Sequence, residues 1–254
     1  MALDLSKQAL LINGEKMKEW TISIFGAGSI GSHLTRALVK TGFENIEVWD
    51  FDEVEADNIP AQAFGLKHID MKKTEALKEL IKEETGVEIV THEGKVDEKT
   101  EIKPDLKTIY FCAFDSIPAR KLVYDKLKKF PVVWGETRIG RFDYRYYFVV
   151  PGKTPESWKG EYEKELDPKQ GIMELKCGEK CSFGPNTDLV SRVLRQILNI
   201  VEGKDFTYKF IGNWQTPNVE DSITKDSYRN TWDEAPKEKT EMEKDLEMIE
   251  VVEV

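Results

Sequence analysis

The sequence predicts an α/β fold: a mostly parallel, twisted sheet with helices on both faces and antiparallel strands in its second half. Three observations predict it. A strand, a glycine turn, a helix and a second strand follow one another across Ile22–Asp52. Apolar runs of strand length then alternate with helical periodicity as far as Trp134, the pattern of a parallel sheet with right-handed crossovers. From Arg141 that alternation lapses. Strand-like runs at Arg141–Val150 and Phe206–Ile211 are separated by a long polar segment, so the sheet is expected to turn antiparallel there.

The chain has 254 residues, enough for one large α/β domain with extensions. Hydrophobic content of 40% allows a sizeable core, and 33% charged residues give a highly charged surface. The net charge of −10 argues against nucleic acid as a partner. No apolar run approaches the ~20 residues of a membrane span, and the N-terminus lacks the layout of a signal peptide. Three cysteines, an odd number, fit a reducing compartment. A cytoplasmic, soluble protein without membrane contact is expected.

In chain order, Leu5, Ala9, Leu10, Leu11 and Met17 suggest a short amphipathic helix over residues 3–18. Ile22–Phe25 is the first strand, and Ile30, Leu34, Ala37 and Leu38 mark the helix after the glycine turn. Ile46–Trp49 is the second strand. Glu53–Asp70, with Asn58, Pro60 and Gly65, reads as a long irregular loop holding a turn or two of helix, and such loops commonly carry function. A helix at Lys72–Glu84, strands at Glu88–His92 and Thr108–Phe111, a helix through Ala119–Phe130 and a short strand at Pro131–Trp134 follow. Pro151–Pro185 has few apolar anchors and is expected to be a partly ordered crossover loop. Leu189, Val190, Val193, Leu194, Ile197, Leu198 and Val201 form an apolar helix stripe that Gly203 closes as a C-cap. From residue 214 to Val254 the chain is polar and acid-rich, a tail.

The chemistry starts in the Rossmann-like βαβ unit. Gly26 permits a tight turn, Gly28 lets backbone approach phosphate, and Gly31 lets helix and strand pack closely. The cradle Gly26, Gly28, Ser29, Ile30, Gly31 then presents a helix N-terminus to an anion. Asp50, about 20 residues on, is placed for ribose hydroxyls.

Further residues carry a resemblance. Asp50-Phe-Asp52-Glu-Val-Glu-Ala-Asp-Asn58-Ile-Pro-Ala-Gln62-Ala-Phe64 is similar to D-x-D-x-V-x-x-x-N-x-x-R-Q-x-(L/F), a signature of the ThiF/MoeB superfamily of ubiquitin-activating-type adenylating enzymes. Ile69–Leu77 resembles the family's G-x-x-K-x-x-A segment with its nucleotide lysine at Lys73. Phe111–Arg120 resembles (D/T)-x-x-D-(N/S)-x-x-x-R, with the metal-and-phosphate aspartate at Asp115. Thr137–Pro151 and the Leu189–Gly203 helix resemble later family segments. The resemblance implies one adenylation domain over residues 1–213, with a crossover loop at about 151–185, and ATP and Mg²⁺ as cofactors. Asp115 then holds Mg²⁺, and Asp50, Asp52, Asn58, Gln62 and Lys73 address the nucleotide. The implied partner is a small ubiquitin-like or sulfur-carrier protein with a C-terminal Gly-Gly, and the implied state is a homodimer. Taken singly, Lys73 also reads as a solvated helix lysine, and Asp115 as a helix N-cap.

The sequence departs from the family in three places. The arginine before Gln62 is Ala61, and the N-terminal arginine, often supplied across the dimer, is Lys7. Arg120, Arg138 and Arg141 are candidates to restore the lost charge. The family zinc rests on two C-x-x-C pairs. Only Cys112, Cys177 and Cys181 exist here, so no zinc is expected. Cys177, in the crossover loop beside Lys176, is a candidate acceptor of a thioester or persulfide, with Cys181 competing; Cys112, in an apolar strand, reads as core. Two other functions are open: a degenerate nucleotide-binding subunit without its own catalysis, and an NAD-dependent oxidoreductase.

Overall fold

The computed structural model describes residues 3–140, 143–166 and 183–214, and the backbone of 221–224. Its centre is one eight-stranded sheet in the order β3-β2-β1-β4-β5-β6-β7-β8. The strands are β1 (Thr21–Phe25), β2 (Asn45–Asp50), β3 (Val90–Glu93), β4 (Thr108–Cys112), β5 (Val133–Ile139), β6 (Asp143–Val149), β7 (Thr207–Asn213) and β8 (Asp221–Thr224). Pairing is parallel from β3 to β5 and antiparallel from β5 to β8, as the sequence predicts. β4 is buried at every position, as a central parallel strand must be.

Helices α2 (Gly31–Thr41), α3 (Lys73–Thr85) and α6 (Phe183–Glu202) pack side by side, α2 touching both of the others. α4 (Ile117–Leu127) and α5 (Glu156–Glu165) meet through the Tyr124–Tyr162 edge-on contact. The α6 stripe is buried as expected through Leu189, Val193 and Ile197. Gly203 closes it with φ +75°, in the left-handed region that favours glycine. The loop after β2 is irregular with two 3₁₀ turns, Ala56–Asn58 and Leu66–His68, as expected.

Four expectations are corrected. Residues 3–18 do not form one helix. They form a 3₁₀ turn at Ser6–Gln8 and a separate α1 (Gly14–Lys18), whose N-cap Asn13 accepts from the Lys16 amide. Asn-Gly ends the first periodicity, and Leu10 and Leu11 are left exposed. The strand expected at Pro131–Trp134 runs from Val133 to Ile139, because the buried Glu136 and the half-buried Arg138 pair with each other within it. The segment expected as a partly ordered crossover loop holds α5 near its start. Two aromatic anchors, Trp158 and Tyr162, lie on one face of this otherwise charged helix and are fully buried. β8 falls within the stretch expected as tail and pairs with β7.

Two close approaches fix the frame. A Cβ built on Gly31 falls 1.7 Å from the Gly26 carbonyl oxygen, so only glycine lets α2 enter this close to β1. Gly26 itself has φ +108°, a turn that L-residues rarely adopt. Gly31→Ala is expected to cost about 3 kcal/mol or more of stability, since neither backbone can yield without moving the helix. Urea unfolding of the variant measures this; a loss under about 1 kcal/mol contradicts the account.

Candidate functional site

The C-terminal ends of β1, β2 and β4 deliver three loops to one edge of the sheet, where open α/β sheets take ligands. The glycine loop leaves β1 and turns into α2. The first turn of α2 carries no acidic side chain, so its free N–H groups and positive dipole are open to an anion. A Cβ on Gly28 meets nothing within 4 Å, so the backbone there stands clear for a phosphate. Ser29 is half-buried and Ile30 packs into the core.

Asp50 organises this loop. One carboxylate oxygen accepts from the Ala27 amide at 2.6 Å, the other from the Asp52 amide at 2.8 Å. The side chain is 7% exposed, and burial raises its pKa against the pull of those amides and of Lys73. Asp50 therefore first holds the glycine loop to the end of β2. Each of its oxygens keeps a second lone pair for a hydroxyl donor.

Asp52 and Lys73 are brought together. The Lys73 ammonium lies 3.0 Å from the Asp52 carboxylate, and the Lys73 amide donates to the Asp52 carbonyl at 2.9 Å. A bridge between Glu53 and Lys72 and a hydrogen bond from Val54 to Met71 zip this contact shut. Lys73 is 8% exposed at the first residue of α3, so it is not the solvated lysine that its neighbour Lys72 suggests.

The loop 56–64 is tied to the start of α2 through Ser32 and to the start of α6 through Asn186. The Asn58 side chain is spent on its own turn: it accepts from the Glu55 amide and donates to Asp57. Gln62 offers an Oε1 that is buried without a hydrogen-bond partner. Ser32 relays between loop and helix, donating to the Gly28 carbonyl at 2.7 Å and accepting from the Ala63 amide at 3.1 Å. Ala61, where the family arginine stands, is held by its backbone. Asn186 at the start of α6 donates to its carbonyl at 3.2 Å, and the His33 ring also hydrogen-bonds the Ala61 backbone. Burial lowers the His33 pKa, so this imidazole is neutral at neutral pH and supplies no cation in place of the arginine.

Asp115 follows β4. It is exposed, and among the described residues its carboxylate has no hydrogen-bond or ion-pair partner. It is not the cap of α4: Ser116 is, accepting from the Ala119 amide. A lone carboxylate at a strand end has the oxygen chemistry that Mg²⁺ takes, and the residues just before it, Ala113 and Phe114, lie against Gly26. The site residues thus fit a magnesium-bound nucleotide.

Two arginines considered as replacements are engaged elsewhere. Arg120 is buried, donates to the Phe114 carbonyl, and lies 3.7 Å from Glu136. Arg138 binds Glu136 at 2.6 Å, reaches Glu165 and stacks over Tyr147. Arg141, Cys177, Lys176 and Cys181 lie outside the described residues. Lys7 is exposed in the first 3₁₀ turn, which Gln8 ties to the Lys40 carbonyl near the far end of α2, about 16 Å of helix away from the glycine loop. Among the described residues no cluster of three His, Cys, Asp or Glu is arranged for a metal. Cys112 is core, and burial pushes its thiol up to about 12. Sequence reasoning missed Ser32, His33, Asn186 and Glu136. Only Ser32, directly after the last glycine, carries a local signal.

The NEDD8-activating enzyme E1 catalytic subunit of Arabidopsis thaliana is 36% identical over 105 residues, 40% of this chain and 23% of that protein. The SUMO-activating enzyme subunit 2 of Dictyostelium discoideum is 34% identical over 113 residues, 43% of this chain and 17% of that protein. The chain thus spans about a quarter or less of the length of these relatives. Among solved structures, E. coli MccB with ATP superposes with a TM-score of 0.64 at 16% identity, covering 83% of this chain and 65% of that one. PaaA superposes at 0.63 with 18% identity, covering 83% and 75%. Both likenesses show the fold, a Rossmann-like mixed sheet. The ThiF family model matches residues 7–243, nearly the whole chain, and the chain belongs to the ThiF family.

Proposed function

We propose that this protein activates the C-terminal carboxylate of a small ubiquitin-like or sulfur-carrier protein by ATP-dependent adenylation. The observation that carries the reading is the convergence of the glycine cradle, Asp50, the Asp52–Lys73 pair and the unpartnered Asp115 on one sheet edge. Family membership and relatives named for NEDD8 and SUMO activation support the class of reaction.

The residues divide the work. The α2 N-terminus and the Gly28 backbone hold phosphate oxygens, and Asp50 accepts from ribose hydroxyls. Asp115 would hold Mg²⁺, which would supply charge neutralisation at the phosphates. Lys73, preorganised by Asp52 in a nearly buried position, lies against phosphate oxygens as a fixed positive charge. A carboxylate oxygen of the carrier then forms a bond to the α-phosphorus. The bond from that phosphorus to the bridging oxygen breaks, and pyrophosphate leaves with the electron pair. No proton transfer is needed, so the absence of a general base among these residues fits. Lys7 is remote from its own chain's cradle, which supports a homodimer in which the partner supplies it. Cys177 or Cys181 is the proposed acceptor of the activated carboxylate.

One observation favours a second reading, a nucleotide-binding subunit without catalysis. Ala61 removes an arginine, and neither Arg120, Arg138 nor His33 replaces its charge. ATP–pyrophosphate exchange, driven by a small protein with a free Gly-Gly end, decides between them. Carrier-dependent exchange supports adenylation. ATP binding with no exchange against any such carrier supports the subunit reading. Bound NAD in the purified protein restores the oxidoreductase reading.

Within the adenylation reading, Lys73→Ala and Asp115→Ala are each expected to slow exchange on the order of 10²–10³-fold while leaving the unfolding transition in place. Ala61→Arg is expected to accelerate it by about tenfold or more, because one arginine is worth far more than this in related phosphoryl transfers. Initial rates at saturating carrier measure both; an Ala61→Arg variant no faster than the parent contradicts the electrostatic account.

A further inference from the structure

We propose that Glu136 is a positioning residue for the loop that carries Asp115, and that it acts through Arg120. The consequence for magnesium rests on the adenylation reading above; the geometry does not.

Glu136 lies in β5, opposite Cys112 at the end of β4, and is fully buried. One carboxylate oxygen accepts from Arg138 Nε at 2.6 Å, and the other from the Tyr162 hydroxyl at 2.8 Å, which in turn accepts from Trp134 Nε1. Arg120 Nη1 stands 3.7 Å away, beyond hydrogen-bond reach. A buried carboxylate held between a buried and a half-buried arginine is a poor device for stability, since apolar side chains of the same volume usually do as well. What it supplies beyond packing is the counter-charge that allows a nearly buried Arg120.

Arg120 uses that allowance on the backbone. Its Nη2 donates to the carbonyl of Phe114, the residue before Asp115, while its Nε and Nη1 have no hydrogen-bond acceptor. The same segment abuts the glycine loop. A Cβ on Gly26 falls 3.1 Å from the Ala113 carbonyl and 3.3 Å from the Phe114 ring. Displacing the Phe114 carbonyl therefore moves Asp115 relative to the cradle. The chain of contacts runs Tyr162 and Arg138 to Glu136, to Arg120, to the Phe114 carbonyl, to Asp115.

The test uses the full chain carrying Glu136→Gln, which keeps the shape and removes the charge. Hydrogen exchange without ligand is expected to quicken about tenfold in a peptide spanning residues 111–121, while peptides from the glycine loop and α6 exchange as in the parent. ATP binding in EDTA is expected to be unchanged, and the Mg²⁺ concentration for half-maximal tightening of ATP to rise about tenfold, the signature of a misplaced carboxylate rather than a weakened core. Arg120→Lys, which keeps the charge beside Glu136 but loses the guanidinium fork, is the second variant and is expected to behave alike. Parental exchange over 111–121 in both folded variants overturns the proposal. So does an acceleration spread evenly over all peptides. A parent chain that binds no ATP overturns the adenylation reading instead, and the exchange of residues 111–121 still decides the wiring.

Discussion

The Asp50 carboxylate is the interaction on which the site depends. It joins two segments that the chain delivers separately, the turn after β1 and the turn after β2, through the Ala27 and Asp52 amides. The cost of burying it is visible in its raised pKa, and two short amide contacts offset that cost. Everything downstream is indexed to it. Asp52, placed by its own amide, takes both the backbone and the side chain of Lys73. Ser32 then ties the far side of the cradle to the loop that carries Ala61 and Gln62. This sheet edge is thus a closed circuit of backbone contacts with few exposed side chains committed to it.

Much of this was legible in the sequence because it rests on residues with few other uses. Gly31 tolerates no Cβ, Gly26 takes a left-handed turn, and both are stated by the letters alone. The parallel half of the sheet followed from uniformly apolar strands such as Ile109–Cys112. Lys73 and Asp115 needed the spacing of a family pattern, because a lysine or an aspartate at a helix start has many meanings. The structure narrows these: Ser116 takes the capping role, and Lys73 is buried against Asp52 while Lys72 pairs with Glu53.

What was illegible has a common physical cause: polar residues buried against one another. Glu136, Arg138 and Lys209 interrupt the apolar alternation of β5 and β7, yet each is buried or nearly so with a charged partner. A pattern rule reads such letters as turn or surface. α5 hides for the converse reason. It is anchored by Trp158 stacked on Tyr147 and by Tyr162 against Tyr124, so two large rings hold a helix whose other positions are mostly charged. The grip on Ala61 by His33 and Asn186 joins residues far apart in sequence and leaves no local trace.

The burial of Cys112 has a practical corollary. With a thiol pushed up to about 12 and no exposed surface, it is chemically silent in the folded protein. Of the three cysteines in the chain, Cys112 is therefore one that alkylating reagents leave unmodified under native conditions. Label on Cys112 marks molecules that have lost the central strand, so its modification reads unfolding of the sheet.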